Sequence, residues 1–172
     1  MDKIFHLKRI DFRYWIDELP DLHTENEKEF KAELPACSSV KMAEIEGAAE
    51  LFLHKAASCY GLLGLKFIPD RESSRLKISV RYHEGNKEHY FSEIRASVFQ
   101  KYIYKGLEQQ YLSAVTDSIA AFCQTNKLSG GSLYMHTAAN CEVGSSPLLF
   151  ESLTELLLSA MYGISIARAE KE

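Results

Sequence analysis

The chain is poor in the residues that mark fibrous and low-complexity proteins. Four prolines and nine glycines in 172 residues exclude collagen-like and Pro-rich linker architectures. Cysteine is scarce and scattered. Cys37, Cys59, Cys123 and Cys141 form no C-x-x-C pair, which removes the spacing of structural zinc sites and of redox dithiols. No metal and no cofactor is expected. Charge of one sign is lacking as well: 20 Lys and Arg stand against 24 Asp and Glu, a net charge of −4 with a pI near 5.9. Such a chain has no general field for a phosphate backbone, so any nucleic-acid binding requires a local basic patch. Long hydrophobic runs are missing too. The segments around Leu62 to Phe67 and Leu153 to Met161 fall short of the roughly 20 residues of a membrane span. Met1 to Arg9 has no apolar h-region of a signal peptide. These absences predict a cytoplasmic protein without membrane association.

What is present is globular. With 46% apolar and 26% charged residues, the chain can bury the core of one domain. The reading divides it into an N-terminal strand and polar segment (1–36), a main body (37–163) and a tail (164–172). Ile10, Phe12, Tyr14 and Ile16 alternate with Asp11, Arg13, Trp15 and Asp17, the period of a half-buried strand. The stretch 21–31 reads as a polar loop or short surface helix. Ser38 and Ser39 would open a helix with Ile45, Ala48, Phe52, Ala56 and Cys59 on one face, closed by Gly61. Three strands follow, Leu63 to Phe67, Leu76 to Tyr82 and Tyr90 to Val98, as an antiparallel meander. A second helix spans 107–125, and Gly130-Gly131 turns into a strand over 132–137. A third helix starts at Ser146-Pro147, where proline costs nothing, and ends at Gly163. The fold expected is α+β: a mixed, mostly antiparallel sheet of four to five strands with three main helices packed on one face.

Chemistry-bearing patterns are sparse. None of the six histidines stands in H-E-x-x-H spacing, and no phosphate-loop or G-x-S-x-G signature occurs. His83 and His89, with Glu84 and Glu88, flank a turn and read as an exposed hairpin end. His136 and Cys141 lie in a strand-to-helix connection, where a helix N-terminus can lower a thiol pKa and a histidine can serve as base. They are the weak catalytic candidates. Lys101, Tyr102, Tyr104 and Lys105 interleave aromatics with cations and form the candidate ligand site, for RNA if anything. Ser145 and Ser146 present amides at a helix start, a generic anion site. Leu148, Leu158 and Met161 make the last helix apolar around most of its circumference, as in a central core helix or an interface.

Tyr111, Ala114, Val115 and Ile119, then Leu128 and Gly130, then Ser145, Ser146 and Phe150 form a pattern that resembles domain IV of elongation factor G. That domain has the fold of the second domain of ribosomal protein S5. The resemblance covers about 75 residues, from Leu76 to roughly Met161. It implies that fold and a role connected with translation. The chain departs from the family in lacking a GTPase domain and in a shortened strand-to-helix connection. Together these readings favour a non-enzymatic binding module acting through a protein or RNA surface. A structural subunit of a homo-oligomer and a small enzyme with a Cys/His pair are the alternatives. A protein partner or self-association is the expected interaction, with RNA a weak one.

Overall fold

The computed structural model describes residues 2–6, 8–37, 39–54, 59–85, 88–94 and 100–171. Strand β1 (Asp2–His6) and strand β2 (Ile10–Ile16) form an antiparallel hairpin, with Phe5 opposite Phe12 and Lys3 opposite Tyr14. Alternation predicts β2 correctly: Asp11, Arg13 and Trp15 point to one face and Phe12, Tyr14 and Ile16 to the other. Strands β3 (Lys28–Pro35), β4 (Ile45–Leu53), β5 (Cys59–Pro69) and β6 (Arg75–Tyr82) follow. After a short strand β7 (Ile103–Lys105) come α1 (Leu112–Thr125), β8 (Gly131–Cys141) and α2 (Pro147–Ala169). All eight strands join one sheet in the order β1-β2-β4-β5-β8-β6-β3, with β7 beside the far end of β8. Every pairing is antiparallel except β6 with β8. Those two run parallel because α1 carries the chain back across the sheet between them.

The α+β class stands, but the expected counts do not: among the described residues the sheet has eight strands and two α-helices lie over it, not four to five strands under three helices. The largest correction falls on the segment assigned to the first helix. Ile45, Ala48 and Phe52 lie on strand β4, which is buried on both faces. A central strand of this kind loses its two-residue alternation, and its Ala- and Glu-rich sequence then imitates an amphipathic helix. Ala56 of that expected helix is outside the described residues, and Cys59 begins β5. The segment read as a loop over 21–31 runs into edge strand β3. No meander forms, because β8 inserts between β5 and β6. Tyr90 to Ile94 is irregular rather than a strand, and 95–98 lie outside the described residues. The second helix begins at Leu112, after a 3-10 turn over Gln109–Tyr111. The third runs through Gly163 to Ala169, and at 23 residues it is long and apolar enough to cross a membrane by length and composition. Here one side of it packs on the sheet, where Leu149, Phe150, Leu153, Leu157 and Met161 are buried.

Two cores result. On one face, α1 and α2 cover Ile45, Leu63, Leu65, Phe67, Leu76, Ile78, Val80, Leu133 and Met135. On the other, Ile94 and Ile103 close over Trp15, Ala48, Phe52, Tyr60, Leu62, Ala139 and Cys141. Gly47 lies between β2 and the helix layer, and a Cβ there would come within 2.7 Å of the Trp15 carbonyl oxygen. Close approach of the two backbones requires glycine at that point.

Candidate functional site

The sequence candidates do not converge. His136 and Cys141 share β8, but five residues along a strand separate them by about 16 Å. Cys141 is fully buried in the second core, and burial pushes its thiol pKa up. It is neither a thiolate nor within reach of a base. His136 sits where β8 bulges opposite Leu65, at a shift of register between Gly64 and Lys66. Its Nε2 lies 2.5 Å from Ser79 Oγ and 3.7 Å from Glu29 Oε1. Ser79 Oγ in turn donates to Glu29 Oε1 at 2.5 Å.

Serine, histidine and glutamate thus meet on β6, β8 and β3, in the wrong order for hydrolysis. A nucleophilic serine gives its proton to histidine, and the acid orients the histidine from behind. Here the serine is in the middle. The hydroxyl proton points to Glu29, whose carboxyl is held below its usual pKa, chiefly by that bond, and is a poor base. Burial, helped by Arg81, holds His136 below the usual imidazole pKa, so the neutral ring donates its Nε2 proton to Ser79. The arrangement ties three strands together beside an open trough of about 460 Å³ lined by Glu29, Lys31, Glu33, Lys77, Ser79 and Tyr134. Its mixture of carboxylates and ammonium groups favours neither anions nor cations.

The aromatic and basic segment is used internally. Tyr104 is buried and packs 4.8 Å from the His89 ring, Lys105 pairs with Glu88, and Lys101 lies 4.8 Å over the Tyr102 ring. His83, read from the sequence as part of an exposed hairpin end, is instead buried, with Gly106 against its ring. At the start of α2, Ser146 Oγ accepts the Leu149 amide at 3.3 Å as an N-cap. Ser145 Oγ donates to the Tyr60 carbonyl at 2.6 Å and accepts the Cys141 amide at 2.7 Å. Both serine hydroxyls serve the fold. Tyr111, Ala114, Val115 and Ile119, which carry the resemblance, lie in the 3-10 turn and on the buried side of α1. Among the described residues, no three His, Cys, Asp or Glu side chains group as metal ligands would.

Sequence reasoning missed two buried polar clusters on the second face. Asp11, fully buried, accepts from His6 Nδ1 at 2.7 Å and from His54 Nε2 at 2.6 Å. Glu50, directly opposite Arg13 in the β2–β4 register, accepts the buried Tyr60 hydroxyl at 2.7 Å. Burial raises the Glu50 pKa, while Ser92, Tyr60 and Arg13 oppose the shift. Arg13 also pairs with Glu93 and lies 4.5 Å over the Trp15 ring. The signal was present in β2, whose inward-facing row contains Asp and Arg, but a strand pattern alone does not say which face is covered.

Also unforeseen is an apolar surface on the helix side. The helix α2 packs chiefly across β4 and β5, and α1 reaches β6, so β1 and β2 lie toward the margin of the helix layer, with Phe12 still packed against its core. Phe5 stacks on Tyr14 at 6.0 Å with rings 14° apart, and Phe12 lies 6.0 Å from Tyr14. Phe5 is 44% exposed. Leu51 and Leu53 of β4 continue the row inward, and Leu156 of α2 is a further exposed apolar residue. Such a contiguous apolar strip is what a protein-binding surface requires. Compared with family models, characterised proteins and solved structures, the chain matches none.

Proposed function

We propose that the protein is a non-enzymatic, cytoplasmic binding module that holds an apolar segment of a partner protein against the outer sheet face. The observation that carries this reading is the aromatic row Phe5, Tyr14 and Phe12, which runs from exposed Phe5 through half-buried Tyr14 to Phe12 at the margin of the helix-side core. Rigid aromatic rings supply large contact area at low entropic cost, which suits them as anchors for a partner. The reading also agrees with the wiring of Ser79, His136 and Glu29, which ties strands and activates no nucleophile. A permanently unfolded, carboxymethylated protein labelled with a fluorophore is the probe. Anisotropy should report binding to the wild type. The double variant Phe12→Ser, Tyr14→Ser should bind at least about ten-fold more weakly, a loss of roughly 1.4 kcal/mol or more, with unchanged far-UV circular dichroism. Equal affinity in the folded double variant would remove this surface from the reading.

A further inference from the structure

The two edges of the sheet are not alike. Strand β3 carries the features that keep an edge solitary: Lys28 and Lys31 along it, each paired with a carboxylate, and Pro35 at its end. Strand β1 is shorter, with a single lysine, Lys3, and no proline. Among the described residues it is the last strand on its side of the sheet, and both of its large apolar residues, Ile4 and Phe5, are exposed, at 38% and 44%. An outer strand edge with exposed apolar side chains on both faces is a template for a further strand.

We infer that β1 pairs antiparallel with β1 of a second copy of this chain, about a two-fold axis through Ile4 normal to the sheet. The sequence of β1 is complementary to itself in that register. Asp2 falls opposite His6, Lys3 opposite Phe5, and Ile4 opposite itself, so all five residues pair and no like charges meet. Lys3 beside Phe5 adds a cation to an aromatic face, and Ile4 with its copy makes an apolar pair. Alternation is preserved, because each residue meets one from the same face of the sheet. The result is one continuous sheet of twice eight strands with both α2 helices on the same side. Between them, Phe5, Phe12 and Tyr14 of the two copies form the floor of a single trough. The pairing rests on the edge itself and holds whether or not the proposed partner binds. A five-residue strand pair is small against the roughly 1,000 Å² of a stable interface, so the dimer forms in the upper micromolar range.

Sedimentation velocity of the full chain at about 10 and 300 µM tests the pairing, on the scale of typical weak interfaces. The mass should move from the 19.5 kDa of one chain toward twice that value at the higher concentration. Ile4→Lys should remain a monomer at both, while Phe30→Lys on β3 should dimerise as the wild type does. Ile4→Cys places two thiols at the axis, within the Cα separation a disulfide spans, and diamide should link it far more than the wild type with its own four cysteines. Three results overturn the inference: a wild type that stays monomeric at the higher concentration, a dimer that survives Ile4→Lys but not Phe30→Lys, or no excess cross-linking of Ile4→Cys. Loss of partner binding in Phe12→Ser, Tyr14→Ser with the dimer intact separates this inference from the proposed function.

Discussion

A single buried carboxylate shows how local chemistry sets the pH response of this fold. Glu50 is fully buried, and its folded pKa is raised above the ordinary 4.5 by loss of hydration. A raised carboxyl pKa means that the folded state holds its proton more tightly than the unfolded state does. Stability from this group is therefore full below about pH 4.5 and is lost as pH rises through the folded value. His83 and His136 act in the opposite sense, since burial lowers both pKa values from 6.5. Their contribution is full above 6.5 and is lost as pH falls toward the folded values. The substitution Glu50→Gln keeps an acceptor for the Tyr60 hydroxyl and removes the titration. Urea midpoints of wild type and variant, measured from pH 4 to 8, should diverge as pH rises above about 4.5, with the variant gaining relative to the wild type. A difference curve flat in pH would mean that Glu50 ionises in the fold as freely as in the unfolded chain.

At the scale of elements, legibility depended on how many faces of each element are covered. The strand β2 was readable, because its period of two is complete, and α2 announced its start through Ser146 and Pro147. The strand β4 was not, because burial on both faces gives Ile45, Ala48 and Phe52 a spacing shared with a helix. The β3 edge was hidden by its charges: Glu29, Lys31 and Glu33 point away from the helices, so its polarity resembles a loop. Two glycine substitutions discriminate the observed elements from those alternatives, and they should move stability in opposite directions. In a helix, Gly47→Ala would stabilise by roughly 1 kcal/mol. In β4 the new Cβ meets the Trp15 carbonyl at 2.7 Å, so the loss should be about 1–3 kcal/mol. Gly163 lies within α2 with open space where a Cβ would stand. Gly163→Ala should therefore gain about 0.5–1 kcal/mol, whereas a terminal left-handed glycine would resist the change. Denaturant midpoints decide both.

The whole molecule is organised around β8, and that was the feature least accessible to the sequence. Strand order depends on pairings between distant segments, so nothing near Gly131 to Cys141 reveals that this strand lies between β5 and β6. The candidate site shared the same fate, since Phe5, Phe12 and Tyr14 were visible as residues but their position at the margin of the helix layer follows from sheet order. Once β8 is central, a gradient of local stability follows. It has β5 along one edge, β6 and β7 along the other, and a core on each face. Opening it requires breaking both cores, so amides of Leu133, Met135, Ala138 and Ala139 should exchange hydrogen only through global unfolding. The edge strand β1 has one neighbour and a solvated outer side, so its amides should exchange through local fraying. Dimer formation adds a second neighbour to β1 and none to β3. Exchange followed at about 10 and 300 µM should therefore slow in Lys3 to Phe5 at the higher concentration while Lys28 to Leu34 of β3 stays unchanged, because bound partner stabilises by mass action. Slowing in β3 instead would place the second copy on the opposite edge, and slowing spread evenly over β8 would mean that association acts on global stability rather than on one strand.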